Sequence, residues 1–286
     1  MSQFQQWAGE CHDIQSNDKV GFRQVPAWHG LGILWPEEAS PAEAAKMVGW
    51  DWEVEKAPLY AIVGDGVRVP VDGQFAAYRT DDQSILGVVS KKHQTLQPAD
   101  FVEFVCAMAD TDKRINVESC GTLSGGRRQW MLVKSDSLIE LGSGGDQIQP
   151  YYHFYQGLDG GCGLWGLPTG IRVQCRNTQN MAVAQGRALR AQGLAFGFPH
   201  TCDLMTRLAE AKVIVDRMAD STKEWAKEAQ VLATTSVGGG GDVLAFFKSV
   251  YEAYTKRPLA TTTETKVDER RLVRARDIMS QWLTNF

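Results

Sequence analysis

The sequence predicts an α+β protein: a mostly antiparallel twisted sheet with packed helices, followed by a helical C-terminal region containing one long helix. Three observations carry this. Short runs with strand character recur between residues 51 and 157, separated by turns rich in glycine and aspartate. Two proline-led segments, 41–48 and 98–110, have helix-start chemistry. From Leu204 to Leu232 apolar or small residues recur in steps of four and three, uninterrupted by glycine or proline. The division expected is an α+β core over 20–200 and a helical region over 201–286, with a glycine-rich joint at 238–241.

Taken in order, Ala27-Trp28-His29-Gly30-Leu31-Gly32 sets two glycines around a Trp–His pair, which suits a fixed turn with close backbone approach. Ser40-Pro41, with Glu43 in the first turn, opens a short helix. Strand character follows at 51–63, 67–71, 74–80 and 84–90. Gly64-Asp65-Gly66, Asp72-Gly73 and Asp81-Asp82 mark the turns between them. Pro98 starts a helix that puts Phe101, Val102, Val105 and Met108 on one face. A second β-rich run covers 115–123, 129–135 and 147–157 and closes with 171–175, before a helix from Thr178 to about Gln192.

The long helix carries its seam on Leu204, Leu208, Ala211, Val215, Met218, Thr222, Trp225, Ala229 and Leu232, a heptad pattern. Val213, Ile214 and Val231 widen the apolar face, which favours a partner within the chain over a subunit contact. Gly238 to Gly241 reads as a flexible joint. A phosphate loop would need Lys-Ser or Lys-Thr next, and Asp242-Val243 follows. Residues 242–256 and 267–283 read as further helices.

With 286 residues, 43% hydrophobic and 22% charged, the chain can bury one large core or two modest ones without disulfides. No window approaches the ~18 apolar residues of a membrane span. The start, MSQFQQWAGECHD, lacks the basic-then-apolar pattern of a secretion signal, so the expected location is cytoplasmic, away from the membrane. Cys11, Cys106, Cys120, Cys162, Cys175 and Cys202 form no C-x-x-C pair and read as buried thiols. Neither Cys11–His12 nor His200–Cys202 has a common zinc spacing, so no metal and no cofactor is expected. A net charge of −4 argues against coating nucleic acid by bulk charge and leaves room for a local basic groove.

The densest motif is GIRVQCRNTQNMA at 170–182. Read as a strand, it alternates Ile171, Val173 and Cys175 against Arg172, Gln174 and Arg176. Cys175 then points with the apolar side chains, a poor place for a thiolate nucleophile. Asn177 or Thr178 suits the N-cap of the next helix. Two readings stay open: a packed corner whose arginines pair with carboxylates on neighbouring strands, or an anion contact at a helix start. The other basic runs are Lys91-Lys92-His93, Lys113-Arg114 and Arg127-Arg128. Tyr151, Tyr152, His153, Phe154 and Tyr155 form an aromatic run ahead of the Leu158-Asp159-Gly160 turn. The absence of a hydrolase triad, carboxylate pair, P-loop or dinucleotide fingerprint argues against an enzyme. An enzyme would have to centre on His29, Asp159 and Cys175.

AWHGLG at 27–32, AYRTDDQSILGVVSKKHQTLQPADF at 77–101 and GIRVQCRNTQNMA at 170–182 together resemble a phage/plasmid-related family. This is the domain-of-unknown-function family numbered nine-three-two, and the resemblance spans about residues 25–235. Members tend to have His-Asp-Gly where this chain has Leu158-Asp159-Gly160. The resemblance implies a mobile-element protein and no established activity. The order of helix (41–48), strand, two more strands and helix (98–110) is similar to the core of Rad-fifty-two-like single-strand annealing proteins. Those proteins form rings that hold DNA in a basic groove over a sheet. The function expected is therefore a homo-oligomeric, single-stranded DNA-binding or annealing protein of phage recombination or replication. Arg79, Lys91, Lys92, Arg127, Arg128, Arg172 and Arg176 would contact phosphates, and Trp130, Tyr152 and Phe154 would stack on bases. The alternatives are a protein-binding factor that inhibits a host defence or polymerase, and a nucleotide- or nucleic-acid-processing enzyme.

Overall fold

In a computed structural model of the chain, strands β6 (Val117–Leu123), β7 (Arg128–Lys134) and β10 (Tyr151–Gly157) form the centre of a seven-stranded sheet. The structure describes residues 18–234 apart from 26, 28–29, 38, 109–115, 136–137, 142–145, 185 and 202–204. The sheet is completed by β11 (Leu164–Thr169) and β12 (Phe196–Phe198) on one side, and by β1 (Val20–Arg23) and β2 (Ile33–Trp35) on the other. Its order is β12-β11-β10-β7-β6-β1-β2, antiparallel throughout except for the parallel β1–β2 pair.

Both faces of this sheet are covered, which explains why RQWMLVK reads as a continuous apolar run. Along β7, Trp130 and Leu132 point to one face, and Met131 and Val133 to the other. The Met131 face packs against helix α1 (Pro41–Met47), helix α2 (Pro98–Met108) and the start of a long helix, α5 (Leu208–Thr234). The Trp130 face is closed by Val173 and by Ala182 of helix α3 (Arg176–Ala184).

The α+β class is as expected, and so are α1 and α2. At α1 the Ser40 hydroxyl accepts from the Glu43 N–H (3.2 Å), and Glu43 Oε2 accepts from the Ser40 N–H (2.8 Å), a complete capping box. In α5, Ala211, Val215 and Met218 of the seam are buried in the main core, whereas Trp225 is 45% exposed. The partner of the first half of that seam is thus the chain itself. No helix among the described residues is long and apolar enough to cross a membrane. The described residues up to Ala233 belong to one compact unit. The expected joint at 238–241 and the helices beyond it lie outside the described residues.

Several elements differ from expectation. Residues 171–175 are not a strand. The N–H groups of Gln174 and Cys175 go to Thr178 Oγ1 (2.8 and 2.9 Å), and the Val173 carbonyl accepts from Ser119 Oγ (2.7 Å), so no ladder can form. Thr178 lies inside the first turn of α3 and reaches back to close it. The helix expected over 178–192 is two helices, α3 and α4 (Gly186–Ala191). The strand expected over 147–157 is interrupted at Gln149-Pro150: its start belongs to β9 (Asp146–Ile148), which pairs with an unexpected β8 (Ile139–Leu141) in a small ribbon, and β10 begins at Tyr151.

A second sheet is the antiparallel meander β3 (Val54–Val63), β4 (Val67–Arg79) and β5 (Ile85–Ser90). Asp72-Gly73, expected as a turn, is a bulge within β4: pairing to β3 jumps from Pro58–Phe75 to Tyr60–Pro70. Only Gln74 to Tyr78 of β4 pairs with β5. The outer part of the β3–β4 hairpin is therefore two-stranded, with Tyr60, Ile62, Val63, Val67 and Val69 between 42% and 72% exposed. The inner part buries Trp52, Val54, Ala77, Leu86 and Val89, and Leu158 from the β10–β11 turn of the main sheet completes that core.

Candidate functional site

The β6–β7 and β10–β11 turns lie at one end of the main sheet and are tied together. The Leu158 N–H donates to the Arg127 carbonyl at 2.9 Å, and Arg128 pairs with Asp159. The meander rests on the same end. A Cβ on Gly87 would lie 2.4 Å from the Asp159 carbonyl, and one on Gly126 would lie 3.1 Å from Arg79 Nη1. Lys56 Nζ donates to the His93 carbonyl at 2.9 Å, and the His93 and His200 rings sit 5.1 Å apart. Of the residues singled out from sequence, this junction brings together Arg79, Arg127, Arg128 and Asp159.

The expected cations fall into two groups. Arg79 is buried, bonded to Asp81 through Nε (2.9 Å) and Nη2 (2.6 Å), with its guanidinium 4.2 Å from the centre of the Trp52 ring. Arg172 reaches Glu118 on β6 (2.6 Å) and the Val25 carbonyl (2.8 Å). Both are structural, and their assignment to phosphate contact is corrected: their charge is already neutralised by carboxylates. Arg127, Lys91 and Lys92 are exposed and form no ion pair among the described residues. Arg128 and Arg176 stand between, half-buried; Arg176 Nη2 donates to Ser124 Oγ at 2.8 Å.

The stacking expectation is also corrected for Trp130 and Phe154, which are 0% and 1% exposed and pack into the cores on opposite faces of the sheet. Tyr152 is half-buried against the helical core. The aromatic run faces inward because each strand face has a covering layer. Tyr155, not assigned from sequence, instead lines a cleft of about 230 Å³ with Ser124, Arg128, Arg176, Gln179 and Asn180. No acidic residue among the described residues lines this cleft. The signal for it was the polar run Arg176-Asn177-Thr178-Gln179-Asn180, which places Arg176, Gln179 and Asn180 on adjacent turns of α3.

His93, His200 and Cys162 at this end are held in their neutral forms. Burial lowers the His93 pKa, with Lys56 adding to the effect and Asp159 opposing it. His200 is pushed down to about 4, first by burial and then by His93. Burial raises the Cys162 thiol, opposed by Arg128, so no thiolate is available at neutral pH. Cys175 is buried with Sγ 3.5 Å from the Thr178 hydroxyl, and Asp159 is taken by Arg128 and the Gly161 N–H (2.8 Å). His29, the third residue of the enzymatic alternative, lies outside the described residues.

No curated protein and no solved structure matches the chain. A family model described as "Domain of unknown function (DUF932)" matches residues 85–277, from the first residue of β5 through both turns and α3. The 27–32 motif and the outer hairpin precede the matched span. Since that span covers about two thirds of the 286 residues, the chain belongs to the DUF932 family, an uncharacterised domain family.

Proposed function

We propose that the protein is an oligomeric, non-enzymatic binder of single-stranded DNA in the recombination or replication of a phage or other mobile element. The observation that carries this reading is the position of Arg127, Lys91 and Lys92, exposed and unpaired among the described residues. Arg127 belongs to the β6–β7 turn, and the two lysines follow β5 on the meander that rests there. Mobile cations at turns suit a flexible strand, because they follow phosphates without demanding a fixed duplex geometry. The succession α1, three antiparallel strands and α2 supports the analogy with Rad-fifty-two-like annealing proteins. The outer β3–β4 hairpin supports assembly: a two-stranded ribbon is marginal in water, and this one exposes apolar side chains.

Three phosphate contacts imply modest affinity and a shallow salt dependence. At roughly 0.7 per phosphate for single strands, the log–log slope is about −2, so affinity falls about twentyfold from 50 to 200 mM salt. Fluorescence anisotropy with a labelled oligonucleotide measures this. Absence of binding at micromolar protein in low salt refutes the proposal.

The exposed hairpin also favours a second reading, a factor that docks on a host protein through Tyr60, Ile62 and Val67. Stoichiometric retention of one host protein by the immobilised chain, with no oligonucleotide binding, decides for it.

A further inference from the structure

We infer that copies of the chain associate head to tail, the outer β3–β4 hairpin of one copy seating in a groove between β8 and α5 of the next. This contact rests on the oligomeric part of the reading above and is independent of its nucleic-acid part. The edges of the hairpin are closed to a further strand. Pro58 stands opposite Phe75, and Pro70 opposite Tyr60. Neither proline has an N–H to donate across its pair, so each turns its blocked nitrogen to an open edge. The faces remain. The pairs Ala61–Val69 and Val63–Val67 lie on one face, and Tyr60–Pro70 and Ile62–Arg68 on the other. Tyr60, Ile62, Val63, Val67 and Val69 are all exposed, so both faces present apolar side chains to solvent. A flat partner covers one face of such a ribbon, whereas a two-walled groove takes both.

The groove, of about 400 Å³, has Leu138 and Ile139 on one side and Thr222 and Ala226 of α5 on the other. Leu138 is exposed, and the Thr222 hydroxyl donates to the Met218 carbonyl at 2.8 Å, so Thr222 brings its methyl to the lining. The lengths agree: α5 runs about 12 Å from Thr222 to Gln230, and the paired stretch 60–63 about 10 Å. The lysines of the lining are paired along their own helix, Lys223 with Asp220 (2.9 Å) and Lys227 with Glu224 (2.7 Å). Glu140, also in the lining, and Arg68 on the hairpin have no ion pair among the described residues. Their opposite signs suit a contact that fixes register. The hairpin's acids, Asp65 in the turn and Asp72 at the bulge, lie beyond either end of the paired stretch.

Position makes the contact one between copies. The inner meander rests on the turns at the Arg128 end of β7. Leu138 also lines a pocket with Lys134 and Tyr151, at the opposite end of β7. The seven residues of β7 set those ends about 20 Å apart. Within one copy the hairpin stands in solvent and the groove lies at the far end of the sheet. A contact between unlike ends is heterologous, so it yields a closed ring or an open filament according to the rotation from copy to copy.

The test is the mass of the full chain in solution by sedimentation, without oligonucleotide, across a range of concentrations. Ile62→Lys with Val67→Glu disables the hairpin, and Leu138→Lys with Ala226→Arg disables the groove. The parent is expected to grow in mass with concentration, and each variant to associate about a hundredfold more weakly or not at all. An equimolar mixture of the two variants restores one intact contact per pair, so it should give a dimer and nothing larger. Only a head-to-tail contact between these two surfaces produces that result. A mixture that stays monomeric overturns the inference. Undiminished association of the groove variant overturns the contact and leaves the oligomeric reading standing. A parent that is monomeric throughout overturns both and leaves the hairpin to the host-protein reading; oligonucleotide anisotropy on the parent decides the nucleic-acid part separately. Thermal midpoints check that the variants fold, and Ile62→Lys alone or Ala226→Arg alone replaces a double variant that does not.

Discussion

Arg128 and Asp159 form an ion pair between the turns that close the β6–β7 and β10–β11 hairpins, and this pair sets how much positive charge that end of the sheet presents. The carboxylate also accepts from the Gly161 N–H, so it shapes its own turn while neutralising the arginine.

Asp159→Asn keeps the turn bond and releases Arg128. One more available cation steepens the salt slope for oligonucleotide by about 0.7 and raises low-salt affinity several-fold. The lost pair costs about 1 kcal/mol of stability, since both groups are partly solvated. Anisotropy across a salt series checks the first expectation, and denaturant midpoints check the second. A slope that does not change removes Arg128 from the strand's path.

The buried histidines give stability a defined pH dependence. Burial takes His153 down to about 3, and burial with His93 takes His200 to about 4, from an ordinary 6.5. Unfolded imidazoles therefore hold more protons than folded ones in this interval. Stability is complete above about pH 6.5 and falls by several kcal/mol as pH drops through 4 towards 3. His153 has no hydrogen-bond partner on either nitrogen and stacks on Tyr155 at 5.2 Å. His153→Phe should raise stability and flatten the profile, as measured by urea midpoints from pH 8 to pH 4.5. A profile equally steep in the variant would show that another group carries it.

Gly87→Ala tests the seam between the two sheets. The added methyl would stand 2.4 Å from the Asp159 carbonyl and 2.9 Å from its Cα, both backbone atoms. Relief requires separating β5 from the β10–β11 turn, at about 2–4 kcal/mol. A thermal midpoint within a degree of the parent would mean that the seam yields freely.

Ile62→Lys with Val67→Glu tests the hairpin. The two residues are 72% and 60% exposed, so monomer stability should shift by no more than about 0.5 kcal/mol. Light scattering should show smaller particles if copies associate there. An unchanged mass distribution removes the hairpin from assembly.

Sequence reasoning found the elements whose signals are local. The Ser40–Glu43 box, the Pro98 start and the β6–β7 hairpin over Gly125-Gly126 all declare themselves within a few residues. It missed β1, β2, β8, β11 and β12, because three-residue strands and glycine-broken runs such as LWGLPT carry too little alternation to register. It misread 171–175 because Ile171, Val173 and Cys175 do alternate, while the rival for their backbone bonds, Thr178, lies three residues further on. The site residues divided on the same line. Lys91, Lys92 and Arg127 sit in turns, where exposure follows from local chemistry. Whether Trp130 or Arg79 faces water depends on α3 and on Asp81, which strand patterning does not encode.

Leu158 belongs to the main sheet yet completes the hydrophobic cluster of the meander. A nascent polypeptide emerging from the ribosome therefore carries β3, β4 and β5 for some seventy residues of synthesis before their last packing partner arrives. During that interval the meander is an unfinished surface, vulnerable to proteases and to chaperone capture. A fragment ending before the β10–β11 turn should stay in that immature condition.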